Sequence, residues 1–290
     1  MKFANHKGRA VVTDGRRAAH VADASSGKFP DAPAEIFPVW DEFAAWARSA
    51  ELSADLSAGF ELDAADLGAP SPAPRQVFAI GLNYAAHARE SGLDLPSEPA
   101  VFTKFPTSVT GPSTVLELPT DTVDYEAELV AVIGRFGHRV PEERAWDHVA
   151  GVTVGQDISE RARQLVGPAP QFSLGKSFPG FAPTGPWIVT PDELDRPDDL
   201  ALGCSINGQV MQDARTDDLI FSVPAIVARL SAVLPLLPGD LIFTGTPSGV
   251  GGARTPPVFL RDGDVLETWV EGIGAITSTC RTCLRYPPTA

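Results

Sequence analysis

Short apolar segments separated by glycine, proline and other turn-forming residues fill most of the chain beyond residue 75. Runs of this kind are typical of β-strands, which need only a few residues between one turn and the next. The predicted strands are Gln76–Gly81, Val123–Gly134, Ala150–Gln156, Leu200–Ile206, Gln209–Asp213, Asp240–Thr244 and Val265–Val270. The dipeptide Asn207-Gly208 predicts a tight hairpin turn between two of them.

Helices are expected to be few in this region. The predicted helices are Tyr84–Ser91, Ser159–Leu165 and Pro224–Leu234. The last of them carries a set of aliphatic residues on one face, namely Ile226, Val227, Leu230 and Val233. The strand–helix alternation of a doubly wound fold is absent, and no GxGxxG motif lies between a strand and a helix. A dinucleotide cofactor therefore has no support.

The N-terminal part of the chain has a different pattern. A β-hairpin is predicted within Arg9–Asp23, where an apolar run meets an Asp-Gly turn, and a helix at Trp40–Ala47, where aromatic residues recur at helical spacing. The segment Ser53–Pro74 lacks a long periodic apolar pattern, so we place a domain boundary there. We predict a strand-rich α+β protein, with a small α/β domain over residues 1–72 and a larger catalytic domain over residues 73–290.

Composition narrows the range of partners. The chain has 290 residues, with 23 Lys plus Arg against 37 Asp plus Glu and a formal net charge of −14. A nucleic acid or an anionic membrane would be repelled, so we expect neither as a partner. The longest apolar run, Val223–Leu237, contains two prolines and an arginine and is too short to span a membrane. The polar N-terminus shows no secretory signal, and we expect a cytoplasmic protein.

Three cysteines, Cys204, Cys280 and Cys283, are too few and odd in number for a disulfide framework, which favours a reducing compartment. Cys280 and Cys283 have CxxC spacing, but no second pair and no nearby histidine completes a tetrahedral zinc site. We expect them to be incidental residues of a terminal strand.

Three acids, Asp124, Glu126 and Glu128, interrupt the apolar strand Val123–Gly134. Because side chains alternate along a strand, Glu126 and Glu128 project to the same side, roughly 7 Å apart. A solvated edge strand would explain them without any function. However, Leu129–Ile133 is apolar on both faces, which indicates burial. Buried carboxylates without a cation are costly, and a divalent ion is a common solution.

A third ligand is available in Asp157, at the end of the next predicted strand. Its alternative role is the N-terminal cap of the helix that follows. Three carboxylates with no histidine or cysteine partner select a hard ion, Mg²⁺ or Mn²⁺ before Zn²⁺. Mg²⁺ held by few protein ligands keeps open positions for water or substrate, as a catalytic metal requires.

A candidate general base lies in the segment Gly81–Glu90. His87 and Glu90 share a face on a short helix, so the carboxylate can hold one tautomer of the imidazole, and a histidine held in this way can deprotonate water. An ordinary surface pair is the alternative, and spacing alone favours it. Lys176 and the turn Thr244–Gly251 complete the set. This segment is either a plain glycine-rich turn or a loop whose amides face an anion.

Taken together, these segments resemble the fumarylacetoacetate hydrolase superfamily, in the branch of the acylpyruvases and 2-hydroxyhepta-2,4-diene-1,7-dioate isomerases. The segments that carry the resemblance are Gly81–Tyr84 with His87 and Glu90, Asp124–Leu129, Gln156–Arg161 with Gln164, Lys176–Pro186, Asn207-Gly208, Gln212–Thr216 and Pro238–Gly251. They extend over most of the chain, roughly Gln76 to Gly274. The resemblance implies a mixed β-sandwich roll in the catalytic domain, a smaller N-terminal domain and a homodimer.

The resemblance also implies roles for single residues. It implies metal ligands at Glu126, Glu128 and Asp157 for Mg²⁺ or Mn²⁺, with Ca²⁺ as a substitute in crystals. It implies a water-activating pair at His87 and Glu90, and a lysine at Lys176 that meets the oxyanion or enolate of the substrate. The implied substrate contacts are Arg161, Gln164, Gly245 and Thr246.

Members of this superfamily act on small anionic compounds with a 2-oxo acid end. Because the water-activating residues are present, we expect a divalent-metal-dependent hydrolase that cleaves an acylpyruvate-type 2,4-dioxo acid into pyruvate and a carboxylic acid. Oxaloacetate decarboxylation and an enol–keto isomerisation of aromatic catabolism use the same chemistry and stay open. A metal-dependent protein that only binds oxo acids is the alternative from another class.

The residues around the distal group of the substrate are less well defined. The aromatic candidates are Phe172, Phe178, Phe181 and Trp187, although core packing is the commoner role of such residues. Lys104 is another candidate contact, with a surface lysine as the alternative.

Overall fold

The computed structural model describes residues 1–48, 56, 59–90 and 94–283. Its strands are β1 (Lys2–His6), β2 (Arg9–Thr13), β3 (Arg17–His20), β4 (Phe60–Glu61), β5 (Leu67–Gly68), β6 (Val77–Gly81), β7 (Ala100–Thr103), β8 (Val109–Thr110), β9 (Ser113–Leu118), β10 (Val123–Asp124), β11 (Ala127–Ile133), β12 (Val149–Gln156), β13 (Ser159–Glu160), β14 (Ala182–Val189), β15 (Ala201–Ile206), β16 (Gln209–Arg215), β17 (Leu241–Phe243), β18 (Val265–Val270) and β19 (Gly274–Thr282).

The helices are shorter and fewer than the strands. The α-helices are α1 (Val21–Ala24), α2 (Pro33–Ile36), α3 (Trp40–Ala47), α4 (Ala85–Glu90), α5 (Arg161–Gln164), α6 (Phe172–Gly175) and α7 (Val223–Val233). The 3-10 helices are Phe37–Val39, Ala64–Asp66, Pro106–Ser108, Glu142–His148, Pro191–Glu193, Thr216–Asp218 and Gly251–Ala253. The predicted strand-rich α+β class is confirmed. Within the described ranges, no helix is long and apolar enough to cross a membrane.

Two sheets pack face to face. A 12-stranded sheet has the order β4-β3-β2-β1-β14-β12-β11-β17-β6-β7, with β5 added to β1 and β8 to β14. A 5-stranded sheet has the order β16-β15-β18-β19-β9. The contacts of β11, β12 and β14 with β15, β18 and β19 join the two sheets into a sandwich. A separate short pair, β10-β13, lies beside the ends of β11 and β12.

The long apolar run of β11 follows from its central place in the large sheet. All seven of its residues are buried. Leu129, Ala131 and Ile133 pack on the side of α7, whereas Val130 and Val132 pack on the side of the N-terminal aromatic residues. A strand covered on both faces has apolar residues on both, which is why Leu129–Ile133 does not alternate with polar residues.

The N-terminal strands continue the large sheet. The predicted hairpin is confirmed, since Val11 of β2 pairs with His20 of β3, and β1 pairs with β14. The predicted helix at Trp40–Ala47 is α3. The domain boundary between residues 72 and 73 stays a prediction, and part of the segment around it, residues 49–55, 57 and 58, lies outside the described residues.

Most of the other predicted elements are observed within one or two residues of their predicted ends. The Asn207-Gly208 turn joins β15 to β16 with left-handed backbone at both residues, φ 51° and 80°. Helix α7 buries Ile226, Val227 and Leu230, but Val233 is 82% exposed, so its predicted place on the packed face is wrong. Ser91, the predicted end of α4, lies outside the described residues. Cys280 is a buried free thiol in β19.

Two predicted elements near the acids differ from the structure. The strand predicted at Val123–Gly134 is interrupted between β10 and β11, where the amide of Glu126 donates to the side chain of Gln156. The helix predicted at Ser159–Leu165 begins only at Arg161, because the two preceding residues form β13. Its N-cap is Glu160, whose carboxylate accepts from the amides of residues 162 and 163, so the capping role considered for Asp157 is wrong.

Candidate active site

Three carboxylates meet at the end of the β11–β12 pair. One oxygen from each of Glu126, Glu128 and Asp157 lies within 4.8 Å of the others, and all three side chains are buried. The antiparallel pairing of β11 with β12 accounts for this arrangement. Ala127 pairs with Gln156, and the amide of Asp157 donates to the carbonyl of Glu126 at 2.9 Å. Residues 31 positions apart in the sequence are therefore brought together by adjacent antiparallel strands.

Two buried lysines neutralise part of this charge. Lys176 donates to Glu126 at 2.8 Å, to Asp157 at 2.7 Å and to the hydroxyl of Ser159 at 2.8 Å. Lys104 donates to the other oxygen of Asp157 at 2.6 Å, and its side chain is fully buried. The surface alternative for Lys104 is wrong, and this lysine is not among the residues that line the cavity beside the acids.

Arg161 connects the acids to the glycine-rich turn. Its guanidinium contacts Glu126 at 2.8 Å, Asp124 at 2.7 Å and the side-chain oxygen of Gln164 at 2.9 Å. Asp124 is fully buried and also accepts from the amides of Gly251 and Gly252 at 2.7 and 2.8 Å. Sequence reasoning gave Asp124 no role, although it precedes the two glutamates in the same segment.

The charges of the site separate the pKa values of the two glutamates. Burial opposes ionisation of Glu126, but the nearby Lys176 and Arg161 outweigh it and lower its pKa to about 2. Burial raises the pKa of Glu128 well above its ordinary value, and the negative charges of Asp157 and Glu126 raise it further. Glu128 accepts a hydrogen bond from the amide of Gly245 at 2.7 Å, but no lysine or arginine pairs with it within the described ranges.

This donor set fits a hard divalent ion. Three carboxylates converge, one of them has no cationic partner among the described residues, and no histidine or cysteine is part of the group. Oxygen donors of this kind suit Mg²⁺ and Mn²⁺. The acidic cluster can therefore hold the metal ion that the sequence predicts.

The predicted base opens onto the same cavity as Glu126. His87 Nδ1 lies 3.3 Å from a carboxylate oxygen of Glu90, and Glu90 in turn accepts from the amide of Gly249 at 3.1 Å. Both residues line a cavity of about 520 Å³, together with Glu126, Lys176 and further residues. Because Nδ1 faces Glu90, the other ring nitrogen, Nε2, is left for water or substrate.

The remaining predicted substrate contacts have different positions. Arg161, Gln164 and Thr246 line the cavity, whereas Gly245 does not and instead donates its amide to Glu128. Gly245 has φ +107°, and a Cβ atom there would lie 2.7 Å from the Cβ of Asn83, so the position requires glycine. Its contribution is to orient a carboxylate.

The aromatic residues predicted for the distal end of the substrate also have different positions. Phe172 lines the cavity. Phe178 and Phe181 pack against each other in the core, and Trp187 packs against the aliphatic residues of two core clusters. Sequence reasoning did not single out Phe102, which also lines the cavity. Its aromatic partner, Phe172, is distant in the sequence.

Comparison with known proteins agrees with this geometry. The family model described as fumarylacetoacetate (FAA) hydrolase C-terminal matches residues 76–281. A relative from Xenopus laevis, named mitochondrial oxaloacetate tautomerase fahd2, is 42% identical over 212 residues, which cover 72% of this chain and 66% of that protein. The matched part thus falls just short of two thirds of the length of that relative.

Solved structures extend the similarity to the whole chain. A protein of Mycobacterium smegmatis, provisionally named HpcE, is 49% identical with a TM-score of 0.90 over 98% of this chain and 100% of its own. The maleylpyruvate hydrolase of Sphingobium sp. SYK-6, in complex with manganese(II) and pyruvate, is 29% identical with a TM-score of 0.79 over 97% and 99% of the two chains. The buried acids, the histidine–glutamate pair and the sandwich around them are thus those of a member of the fumarylacetoacetate hydrolase family, to which this chain belongs.

Proposed function

We propose that the protein hydrolyses the C–C bond of an acylpyruvate-type 2,4-dioxo acid in a reaction that depends on a divalent metal ion, and releases pyruvate and a carboxylic acid. One observation carries the proposal: the His87–Glu90 pair opens onto the same cavity as Glu126 and Lys176. Hydrolysis needs a base for water close to a site for a 2-oxo acid, and this cavity offers both.

The residues divide into those that hold the metal ion and those that act on the substrate. Glu126, Glu128 and Asp157 would hold Mg²⁺ or Mn²⁺. When bound, such an ion supplies a Lewis acid that stabilises the negative charge of a pyruvate enolate. Lys176 adds a positive charge at the cavity wall beside Glu126, where the same negative charge develops.

His87 would take a proton from water while Glu90 holds its imidazole. The water oxygen forms a bond to the distal carbonyl carbon. The bond from that carbon to the methylene carbon then breaks, and its electron pair remains on the pyruvate fragment as the enolate. Return of the proton from His87 to the methylene carbon gives pyruvate, so the base ends in its starting state.

A second candidate is the tautomerisation of oxaloacetate. The name of the Xenopus laevis relative favours it. Keto–enol exchange needs a proton donor and acceptor next to a chelated 2-oxo acid, a role that His87 can also fill. Oxaloacetate decarboxylation passes through a similar enolate and is tested with the same compound.

The test uses the purified protein with Mn²⁺ and measures pyruvate release from acylpyruvates, together with the tautomerisation and decarboxylation of oxaloacetate. We expect His87→Ala to bind Mn²⁺ normally and to lose about 10²–10⁴-fold in hydrolysis. Glu126→Gln should lose both metal binding and turnover. His138→Ala, at an exposed histidine outside the cavity, is the matched control.

The outcomes separate the candidates. Hydrolysis retained in His87→Ala would remove the proposed base. Rapid oxaloacetate tautomerisation without pyruvate release from any acylpyruvate would favour the second candidate. Metal-dependent binding of oxo acids without any turnover would indicate a binding protein.

A homodimer, a small anionic 2-oxo acid as the substrate and a cytoplasmic location complete the proposal. The location rests on the sequence of this chain, while the Xenopus laevis relative is named mitochondrial. The mass in solution, measured by light scattering, tests the homodimer.

A further inference from the structure

We propose that the substrate carries a neutral, apolar acyl group at its distal end, aliphatic or aromatic, and not a second carboxylate. This inference rests on the proposed function for the orientation of the substrate. It concerns the apolar residues of the cavity lining, of which Phe172 is a predicted contact of the distal group.

The lining of the cavity has two chemically different parts. The polar part contains Glu126, Arg161, Gln164, Lys176 and Thr246, with the His87–Glu90 pair beside it. Among the apolar residues of the lining are Leu82, Phe102, Leu165, Phe172, Val250 and Phe259, here together called the apolar wall. A 2-oxo acid has its charged end at the polar part, which leaves its acyl group to the apolar wall.

The apolar wall begins directly beside Lys176. The ring of Phe102 lies 5.0 Å from the ammonium nitrogen of Lys176, and Phe172 packs edge-on against Phe102 with ring centroids 5.5 Å apart. The lysine is thus enclosed by carboxylates on one side and an aromatic ring on the other. A substrate group next to Lys176 is therefore also next to aromatic surface.

The cations that line the cavity are already paired. Arg161 contacts Asp124 and Glu126, and Lys176 contacts Glu126 and Asp157. No other lysine or arginine lines the cavity among the described residues. The remaining charged group there, Glu90, is an acid.

A carboxylate at the distal end of the substrate would therefore lose hydration next to the apolar wall and would gain no cation as a partner. Placing an unpaired carboxylate in such surroundings is unfavourable, whereas an alkyl or aryl group gains from the removal of apolar surface from water. The cavity volume of about 520 Å³ lies in the range of sites for ligands larger than a four-carbon acid.

The test compares two nearly isosteric ligands. Isocaproylpyruvate carries an isopropyl group where succinylpyruvate carries a terminal carboxylate. Their dissociation constants in the presence of Mn²⁺ are measured by titration calorimetry, and kcat/KM is measured by pyruvate release. We expect the neutral compound to bind at least about tenfold more tightly, which corresponds to about 1.4 kcal/mol.

Variants of the apolar wall reverse or keep this preference. Phe172→Arg introduces a cation and should shift the ratio of dissociation constants towards succinylpyruvate by at least about tenfold. Phe172→Leu keeps the wall apolar and should retain the wild-type preference. Phe259→Arg repeats the reversal at a second position in case the first arginine variant does not fold.

The results distinguish this inference from the proposed hydrolysis. Equal or tighter binding of succinylpyruvate by the wild-type protein, or no binding of either compound, overturns the inference. Hydrolysis of succinylpyruvate in preference to isocaproylpyruvate overturns the inference and leaves the proposed function intact. Tighter binding of isocaproylpyruvate without pyruvate release supports the inference and contradicts hydrolysis.

Discussion

Two buried clusters of opposite chemistry lie on the large sheet. The aromatic cluster is made of Phe3, Phe29, Phe37, Trp40 and Phe43. The acid–base cluster is made of Lys104, Glu126, Glu128, Asp157 and Lys176. Both are buried, yet rings at 5.4–6.0 Å hold the first together and ion pairs at 2.6–2.8 Å hold the second.

The difference shows which cluster stabilises the fold and which one serves the site. Apolar burial contributes about 25 cal/mol per Å² and does not depend on pH or on ions. The attraction within a buried ion pair compensates for only part of the free energy lost when both charges leave water. A protein with apolar residues of the same shape in their place is often as stable or more stable. We therefore expect the two clusters to respond differently to truncation and to Mn²⁺.

The largest loss of stability is expected in the aromatic cluster. Phe43 is fully buried and contacts Phe3 and Trp40, each at 5.4 Å between ring centroids. Phe43→Ala should lower the free energy of unfolding by about 3–5 kcal/mol, because a cavity remains where the ring was. Urea unfolding measures this loss, which should be the same with and without Mn²⁺.

Phe136→Ala is the control, because Phe136 is 55% exposed and a substitution there should cost no more than about 0.5 kcal/mol. A loss below about 1 kcal/mol in Phe43→Ala would mean that the aromatic cluster does not stabilise the fold in this way.

A somewhat smaller, metal-sensitive loss is expected for Lys104→Met. Removing one member of a buried pair costs about 3–5 kcal/mol when its partner is left without a cation. Asp157 keeps Lys176 as its cationic partner among the described residues, so the loss should lie below that range. Removal of a positive charge beside the carboxylates should also strengthen Mn²⁺ binding. Since a ligand that binds more tightly stabilises more, the loss should shrink at saturating Mn²⁺.

The chain offers a matched pair for this comparison. Lys7 contacts Asp66 at 2.6 Å, the same distance as between Lys104 and Asp157, but Lys7 is 62% exposed. Lys7→Met should cost at most about 1 kcal/mol and should not respond to Mn²⁺. Equal losses in the two methionine variants would contradict the difference drawn between buried and exposed pairs.

The parts that sequence could predict are those with local patterns. Glu128 of β11 and Glu126 just before it interrupt an apolar run, and the aromatic residues of α3 recur at helical spacing, so both clusters were partly visible. Lys104 was named only as a candidate substrate contact. Its ion pair with Asp157 could not be predicted, because the two residues are 53 positions apart. Asp124 likewise meets its glycine partners only through the fold, 127 and 128 residues away.

Strand β14 was missed for a different reason. It contains two prolines, which lack the amide that a ladder needs and argue against an interior strand. The large sheet nevertheless places it between β1 and β12, where its other residues make the pairing. Long-range pairing outweighs the local signal here. Because β14 connects β1 to β12, the continuity between the N-terminal strands and the rest of the sheet was not predicted either.

The smallest predicted effect concerns the packed rings of His6, His20 and Phe60. This group combines the chemistry of the two clusters, because its histidine rings can ionise and also pack like aromatic residues. His20 stacks on Phe60 with centroids 4.9 Å apart and lies 5.5 Å from the ring of His6. Burial lowers the pKa of His20 below its ordinary value of 6.5, and the positive charge of Arg9 and the ring of His6 lower it further, against the carboxylates of Asp23 and Asp31.

Since the unfolded chain takes up this proton more readily than the folded one, the contribution of His20 to stability is complete above pH 6.5 and decreases as the pH falls below it. His20→Phe keeps a ring against Phe60 but cannot ionise. Urea unfolding between about pH 5.5 and pH 7.5 should therefore show a weaker pH dependence in this variant than in the wild-type protein. His138→Phe, at an exposed position, should keep the wild-type dependence. An unchanged dependence in His20→Phe would mean that this stacked group behaves like the aromatic cluster, for which pH has no effect.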